Sequence, residues 1–223
     1  MNLAPFRAII FDCDGVLVDS ERLGLRSLQL ALRDEGLDLS LGSLTRFSGR
    51  SYSETLAILE RESGLAMVAA TVAERIDDHY QSIVGAEGLG VCPGIPELLS
   101  CLKARGLPFT LASSGPRRKV LFSLQSAGLA SAFPEFICGD DVTLAKPAPD
   151  PYLAAAALIS IAPTDCLAVE DAPNGVRSAR AAGMQVLGVT TTFERSALAG
   201  ATEIVDSMER LADYIRELPT AAP

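Results

Sequence analysis

The stretch FDCDGVLVDSE, residues 11–21, decides how this chain reads. It closes a short, nearly continuous apolar run over residues 6–11, the pattern of a strand buried on both faces of a parallel sheet. Asp12 and Asp14 follow two residues apart, a spacing that in extended backbone sends both side chains the same way. The same shape recurs. Residues 109–112 run into Ser113, Ser114 and Gly115; residues 136–138 into Gly139, Asp140 and Asp141; residues 167–169 into Glu170 and Asp171. Gln185–Val189 and Glu203–Val205 read as two more strands. Helical periodicity fills the gaps at residues 95–104, 118–127, 151–159 and 175–182, and strand alternating with helix predicts an α/β fold, a doubly wound, Rossmann-like parallel sheet.

Residues 20–88 differ. Their apolar residues fall at helical spacing (Leu23, Leu28, Leu32; Leu56, Leu59; Val72, Ile76, Tyr80) with no strand pattern. The expectation is an inserted α-helical cap domain at 19–88 on a catalytic core of 1–18 and 89–223, with hinges at 18–20 and at the Gly and Pro cluster of 88–93. The tail from Pro219 is expected to fray.

The 223 residues are 48% hydrophobic and 21% charged, which supports a folded core, and 28 acids against 19 bases give a net charge of −9 that opposes nucleic-acid binding. The single histidine, His79, excludes multi-histidine zinc sites and reads as a surface residue. Five cysteines, Cys13, Cys92, Cys101, Cys138 and Cys166, form no CxxC pair and suit reduced thiols; Cys13 reads as core packing. With no signal-peptide or membrane-span pattern at the N-terminus, the expectation is a cytoplasmic protein, monomeric, with neither nucleic-acid nor membrane partner.

Ligands of open α/β sheets bind beyond the carboxyl ends of the strands, which here gather Asp12, Asp14, Ser113, Glu170 and Asp171. Any one of these acids could simply cap a helix or solvate a loop. Several converging on one pocket repel one another unless a cation neutralises them, and an all-oxygen set without histidine favours Mg2+.

Four strings occur in order: FDCDGVLVDSE (residues 11–21), ASSG (112–115), AKPAPD (145–150) and VEDAPNG (169–175). Together they resemble the four motifs of the haloacid dehalogenase-like hydrolase superfamily. The resemblance implies that Asp12 is the nucleophile forming an aspartyl phosphate and that Asp14 is general acid to the leaving oxygen, then general base to water. It makes Ser113 the phosphate-holding hydroxyl, aided by the N–H groups of Ser114 and Gly115, and Lys146 the countercharge for the phosphoryl oxygens. Mg2+ would be held by Asp12, Asp171 and the Asp14 backbone carbonyl, with Glu170 either a ligand or one shell out. Asn174 is either a support for that site or a helix cap.

An insert of this size after the first strand resembles the small helical cap of the β-phosphoglucomutase and phosphoglycolate phosphatase branch. The mutase histidine falls at Gly24 and its cap arginine at Tyr52, so both mutase markers are missing. The phosphonatase-type cap lysine is missing too, since residues 20–88 contain no lysine. The expectation is a Mg2+-dependent phosphatase acting on a small phosphorylated metabolite, a sugar or sugar-acid phosphate of the 6-phosphogluconate type. The alternatives are a phosphosugar mutase and a catalytically silent binding module of the same fold. Arg50 reads either as a contact to a second anionic or polar group of the substrate or as an exposed arginine. The Arg117, Arg118 and Lys119 run reads either as a steering patch or as a solvated helix start.

Overall fold

The structure, a computed structural model, describes residue 1 and residues 3–217; the tail expected to fray from Pro219 lies outside them. In chain order the elements are β1 (Ala8–Phe11), β2 (Val18–Asp19), α1 (Glu21–Asp34), α2 (Leu41–Leu44), α3 (Tyr52–Ser63), α4 (Ala69–Glu87), β3 (Gly90–Val91), α5 (Ile95–Ala104), β4 (Phe109–Leu111), α6 (Arg117–Ser126), α7 (Asp150–Leu158), β5 (Cys166–Glu170), α8 (Pro173–Ala181), β6 (Gln185–Val189), β7 (Glu203–Val205) and α9 (Glu209–Glu217).

Five strands form one parallel sheet in the order β4-β1-β5-β6-β7, with β1 against β5 in the register Ala8 to Cys166 and Phe11 to Val169. Both faces are covered, as the unbroken apolar runs require. Ile9, Phe11, Leu167 and Leu187 pack with Leu98 of α5, Leu124 of α6 and Leu211 of α9. Ala8, Ile10, Ala168 and Val186 pack on the opposite side with Tyr152 and Ala155 of α7 and Val176 and Ala179 of α8. Each fully buried Leu or Ile contributes about 1.5–3 kcal/mol relative to exposure, which fixes the register of β1 and with it the position of Asp12.

One expected strand is corrected. Residues 136–138 make only a single bridge, Ala112 to Ile137, beside β4. Pro134 and Gly139 bracket the segment, leaving four residues between a missing donor and a flexible break, too few for a ladder.

Helices α1 to α4 lie between β2 and β3 and carry their own apolar cluster, including Leu28, Leu32, Leu44, Leu56, Leu59, Val72 and Ile76. The two passages between this helical layer and the sheet pair with each other as an antiparallel ribbon, Val18 to Val91 and Asp19 to Gly90. Two-residue strands carry too little periodicity for a sequence reading to reveal them. Among the described residues no helix is long and apolar enough to cross a membrane.

Candidate active site

The sheet's carboxyl edge places Asp12 just past β1, Ser113 just past β4, and Glu170 with Asp171 at the end of β5. Ligand oxygens of Asp12, Glu170 and Asp171 all lie within 4.8 Å of one another. Lys146, from the loop before α7, enters the same point. Its Nζ donates to Asp12 Oδ1 and to Glu170 Oε1, each at 2.6 Å, and lies 4.7 Å from the centre of the Tyr152 ring. Burial alone would weaken the Lys146 ammonium, but Asp12 and Glu170 outweigh it and hold its pKa above the ordinary lysine value.

Three carboxylates facing one lysine leave negative charge uncompensated. Burial pushes Asp12 up to about 7, against the pull of Lys146 and with the push of Glu170. Burial, then the charges of Asp12 and Glu170, hold Asp171 well above the ordinary carboxylate range. An all-carboxylate set in this condition fits a hard divalent cation, which would neutralise the surplus.

Glu170, 1% exposed, is fixed from every side: Oε1 also accepts from the Tyr152 hydroxyl at 2.8 Å, and Oε2 accepts from the N–H groups of Asp171 (3.1 Å) and Ala172 (3.2 Å). This packing explains Gly175 in α8, where a Cβ would stand 1.7 Å from Glu170 Oε1. Gly15 is required twice over, by its φ of +75° and because a Cβ there would stand 2.0 Å from Asp171 Oδ2.

Asp14 lines the same cavity as Asp12, but its carboxylate is directed elsewhere. Lys119 Nζ reaches both Asp14 oxygens at 2.9 Å, and the Ser20 hydroxyl donates to Oδ1. Burial would raise Asp14, yet Lys119 outweighs it and the carboxyl stays below its ordinary value. The Asp14 side chain is therefore outside the three-acid cluster. Ser113 is buried, and its Oγ accepts the Gly115 N–H at 3.0 Å, so that donor is engaged within the loop.

Two functional positions escaped the sequence reading. Lys119, read with Arg117 and Arg118 as either a steering patch or a solvated helix start, is 8% exposed and lies 5.1 Å from the Tyr80 ring centre, while Arg117 and Arg118 go outward to Asp141 (2.5 Å) and Asp78 (2.8 Å). A signal existed, since helical rotation turns Lys119 away from its neighbours and lysine is scarce in this chain. Tyr152, one turn into α7, had no signal beyond its place on an apolar face. Arg50 is exposed, borders the cavity and pairs with Glu54 one turn on. Asn174 Nδ2 donates to the Gly49 carbonyl at 3.3 Å, tying α8 to the helical layer. His79 pairs with Asp34 at 2.8 Å at the surface, and Cys13 is buried with its thiol pushed well up by burial, as expected of each.

Between the sheet edge and the helical layer lies a cavity of about 690 Å³, lined by Asp12, Lys146, Asp171 and Ser113 on one side and by Glu21, Tyr52 and Asp77 on the other. Comparison with known proteins identifies the architecture: residues 6–183 match the model of the haloacid dehalogenase-like hydrolases. The chain belongs to this family. It is 28% identical over 209 residues to validoxylamine A 7'-phosphate phosphatase of Streptomyces hygroscopicus subsp. limoneus, covering 91% of this chain and 94% of that one. It is 32% identical to the Arabidopsis thaliana chloroplastic protein SUPPRESSOR OF QUENCHING 1 over 92% of this chain, but spans only 20% of that relative's length. Among haloacid dehalogenase-like folds of known structure, a hydrolase from Pseudomonas syringae superposes with a TM-score of 0.85 at 27% identity, covering 95% of this chain and 99% of that one.

Proposed function

We propose that this hydrolase is a Mg2+-dependent phosphatase that cleaves a small phosphorylated metabolite, a sugar or sugar-acid phosphate, through an aspartyl phosphate on Asp12. The observation that carries the reading is the buried group of Asp12, Glu170 and Asp171 around the single ammonium of Lys146. Asp12, Asp171 and the Asp14 backbone carbonyl would hold Mg2+, and Glu170, with both oxygens already engaged, anchors Lys146. Bound there, the cation supplies electrostatic neutralisation for the acids and for the incoming phosphoryl group.

Asp12 attacks phosphorus as an ionised carboxylate. Lys146 and the Ser113 hydroxyl balance the charge on the phosphoryl oxygens, where electrostatic stabilisation carries most of the catalysis. In its protonated form Asp14 gives a proton to the departing ester oxygen, and the carboxylate that results takes one from the water that hydrolyses the acyl phosphate. Lys119 and Ser20 aim that carboxylate, and Lys119 favours its ionised, base form. The helical layer acts as a cap that excludes bulk water and contacts the organic part of the substrate. The Streptomyces relative is a phosphatase, which supports this reading.

The test is phosphate release from p-nitrophenyl phosphate. Release is expected with Mg2+, is lost on chelation and returns when Mg2+ is restored. Release that survives chelation contradicts the metal role, and isomerisation of a hexose 1-phosphate without phosphate release marks a mutase instead.

A further inference from the structure

Beyond the phosphate end, the charged groups of the cavity's far wall define what the substrate's other end is. Three cations border the cavity besides Lys146, and each is already neutralised: Arg50 by Glu54, Arg118 by Asp78 and Lys119 by Asp14. The acids of the far wall are not neutralised in this way. Glu21, Glu74 and Asp77 all line the cavity, and none of them is in an ion pair among the described residues, although Lys119 acts on Glu21 and Asp77 from a distance and Arg118 on Asp77. Among the described residues, Glu21 accepts from the Ser48 hydroxyl.

Asp77 is the decisive residue. It is 6% exposed, it lines the cavity, and its Oδ1 has no hydrogen-bond partner. The Tyr52 hydroxyl is near enough to pull on the Asp77 carboxyl, yet Tyr52 Oη is also without a partner of good geometry. A buried acceptor beside a cavity gains from any donor that the cavity's occupant brings to it. A ligand hydroxyl can donate to Asp77 Oδ1 and accept from Tyr52 Oη at once. A carboxylate or second phosphate can do only the second, and it meets Asp77 and Glu21 as like charges.

We infer that the far wall is a hydroxyl-reading, anion-rejecting subsite built on Asp77 and Tyr52, which selects phosphomonoesters with a neutral polyhydroxylated body over bisphosphates and phosphorylated acids. The inference rests on the phosphatase reading and narrows it. The test compares two substrates that differ only at the far end, glucitol 6-phosphate and 6-phosphogluconate, by kcat/KM for phosphate release. Like charges in register cost several kcal/mol, so the polyol is expected to exceed the acid by about tenfold or more. Asp77→Asn keeps the side chain's shape, removes the charge and is expected to narrow that ratio several-fold, with the thermal melt reporting that the fold is kept. Equal or better turnover of 6-phosphogluconate by the wild-type protein overturns the inference, as does an unchanged ratio in a folded Asp77→Asn. Because the wild-type comparison is decisive by itself, a variant that fails to fold does not rescue the idea. Preference for the acid with p-nitrophenyl phosphate still hydrolysed sinks only the subsite; no release from any ester sinks the phosphatase reading and the subsite together.

Discussion

Glu170 is held from several directions at once. Lys146, the Tyr152 hydroxyl and two backbone N–H groups hold its carboxylate, and Gly175 leaves no room for it to move. Gly175→Ala is expected to force Glu170 and then Lys146 out of place, and a 1 Å misplacement near the chemistry costs on the order of 10²-fold in rate. Steady-state kcat checks this, and an unchanged kcat would show that the contact relaxes without consequence. Lys119 makes a second residue-scale case, because it aims Asp14 without touching the reacting phosphorus. Lys119→Met is expected to lower kcat by about 10²-fold, the lower end of what general acid–base catalysis contributes, with a smaller change in KM and partial recovery in Lys119→Arg. A purely structural lysine would instead lower the melting temperature and leave kcat of the folded fraction intact. At this scale the motifs made Asp12, Asp14, Ser113, Lys146 and Asp171 legible, because fixed offsets from strand ends carry their positions. Tyr152 depends on how α7 rotates against the sheet, which offsets along the chain do not encode, and the inward turn of Lys119 was signalled only by helical rotation away from Arg117 and Arg118.

Elements were legible where burial is two-sided or a helix presents one apolar stripe. β1, β5 and β6 follow from continuous apolar runs, and α5 from the helical periodicity of residues 95–104. The reading failed at residues 136–138 and at the β2–β3 ribbon, where too few residues lie between breakers for any period to show. Helix α3 gives a prediction at this scale. Its first residues include Tyr52, which faces the cavity, and its start is fixed by the Ser51 side chain accepting the Glu54 N–H. Ser51→Ala removes an N-cap worth about 1 kcal/mol, expected as a melting-temperature loss of about 2–4 °C for a chain of this size. Because α3 belongs to the layer that faces the substrate, KM is expected to rise more than kcat falls. A fall in kcat at constant KM would place α3 in the chemistry instead.

At the scale of the whole molecule, the crowded acids link stability to pH and metal. Asp12 rises to about 7 in the fold, so the folded protein keeps a proton that the unfolded chain, with an ordinary carboxylate, has already released. The metal-free protein is therefore expected to lose stability as pH rises from about 4 through about 7, and Asp171 shifts in the same direction. Mg2+ requires the ionised carboxylates, so its stabilising effect is expected to grow over the same interval and to be small near pH 5. Thermal melts with and without Mg2+ at pH 5 and pH 8 check this, and an equal Mg2+ effect at both would contradict it.

The central claim is that Asp12 takes the phosphoryl group. Acid quenching during turnover of a labelled phosphomonoester with Mg2+, followed by peptide mapping, tests it most directly. The label is predicted on the peptide that contains Asp12 and is predicted to be absent in Asp12→Asn, which should also lack turnover. Hydrolysis that proceeds at the wild-type rate in Asp12→Asn, with no protein-bound label in either protein, would contradict it.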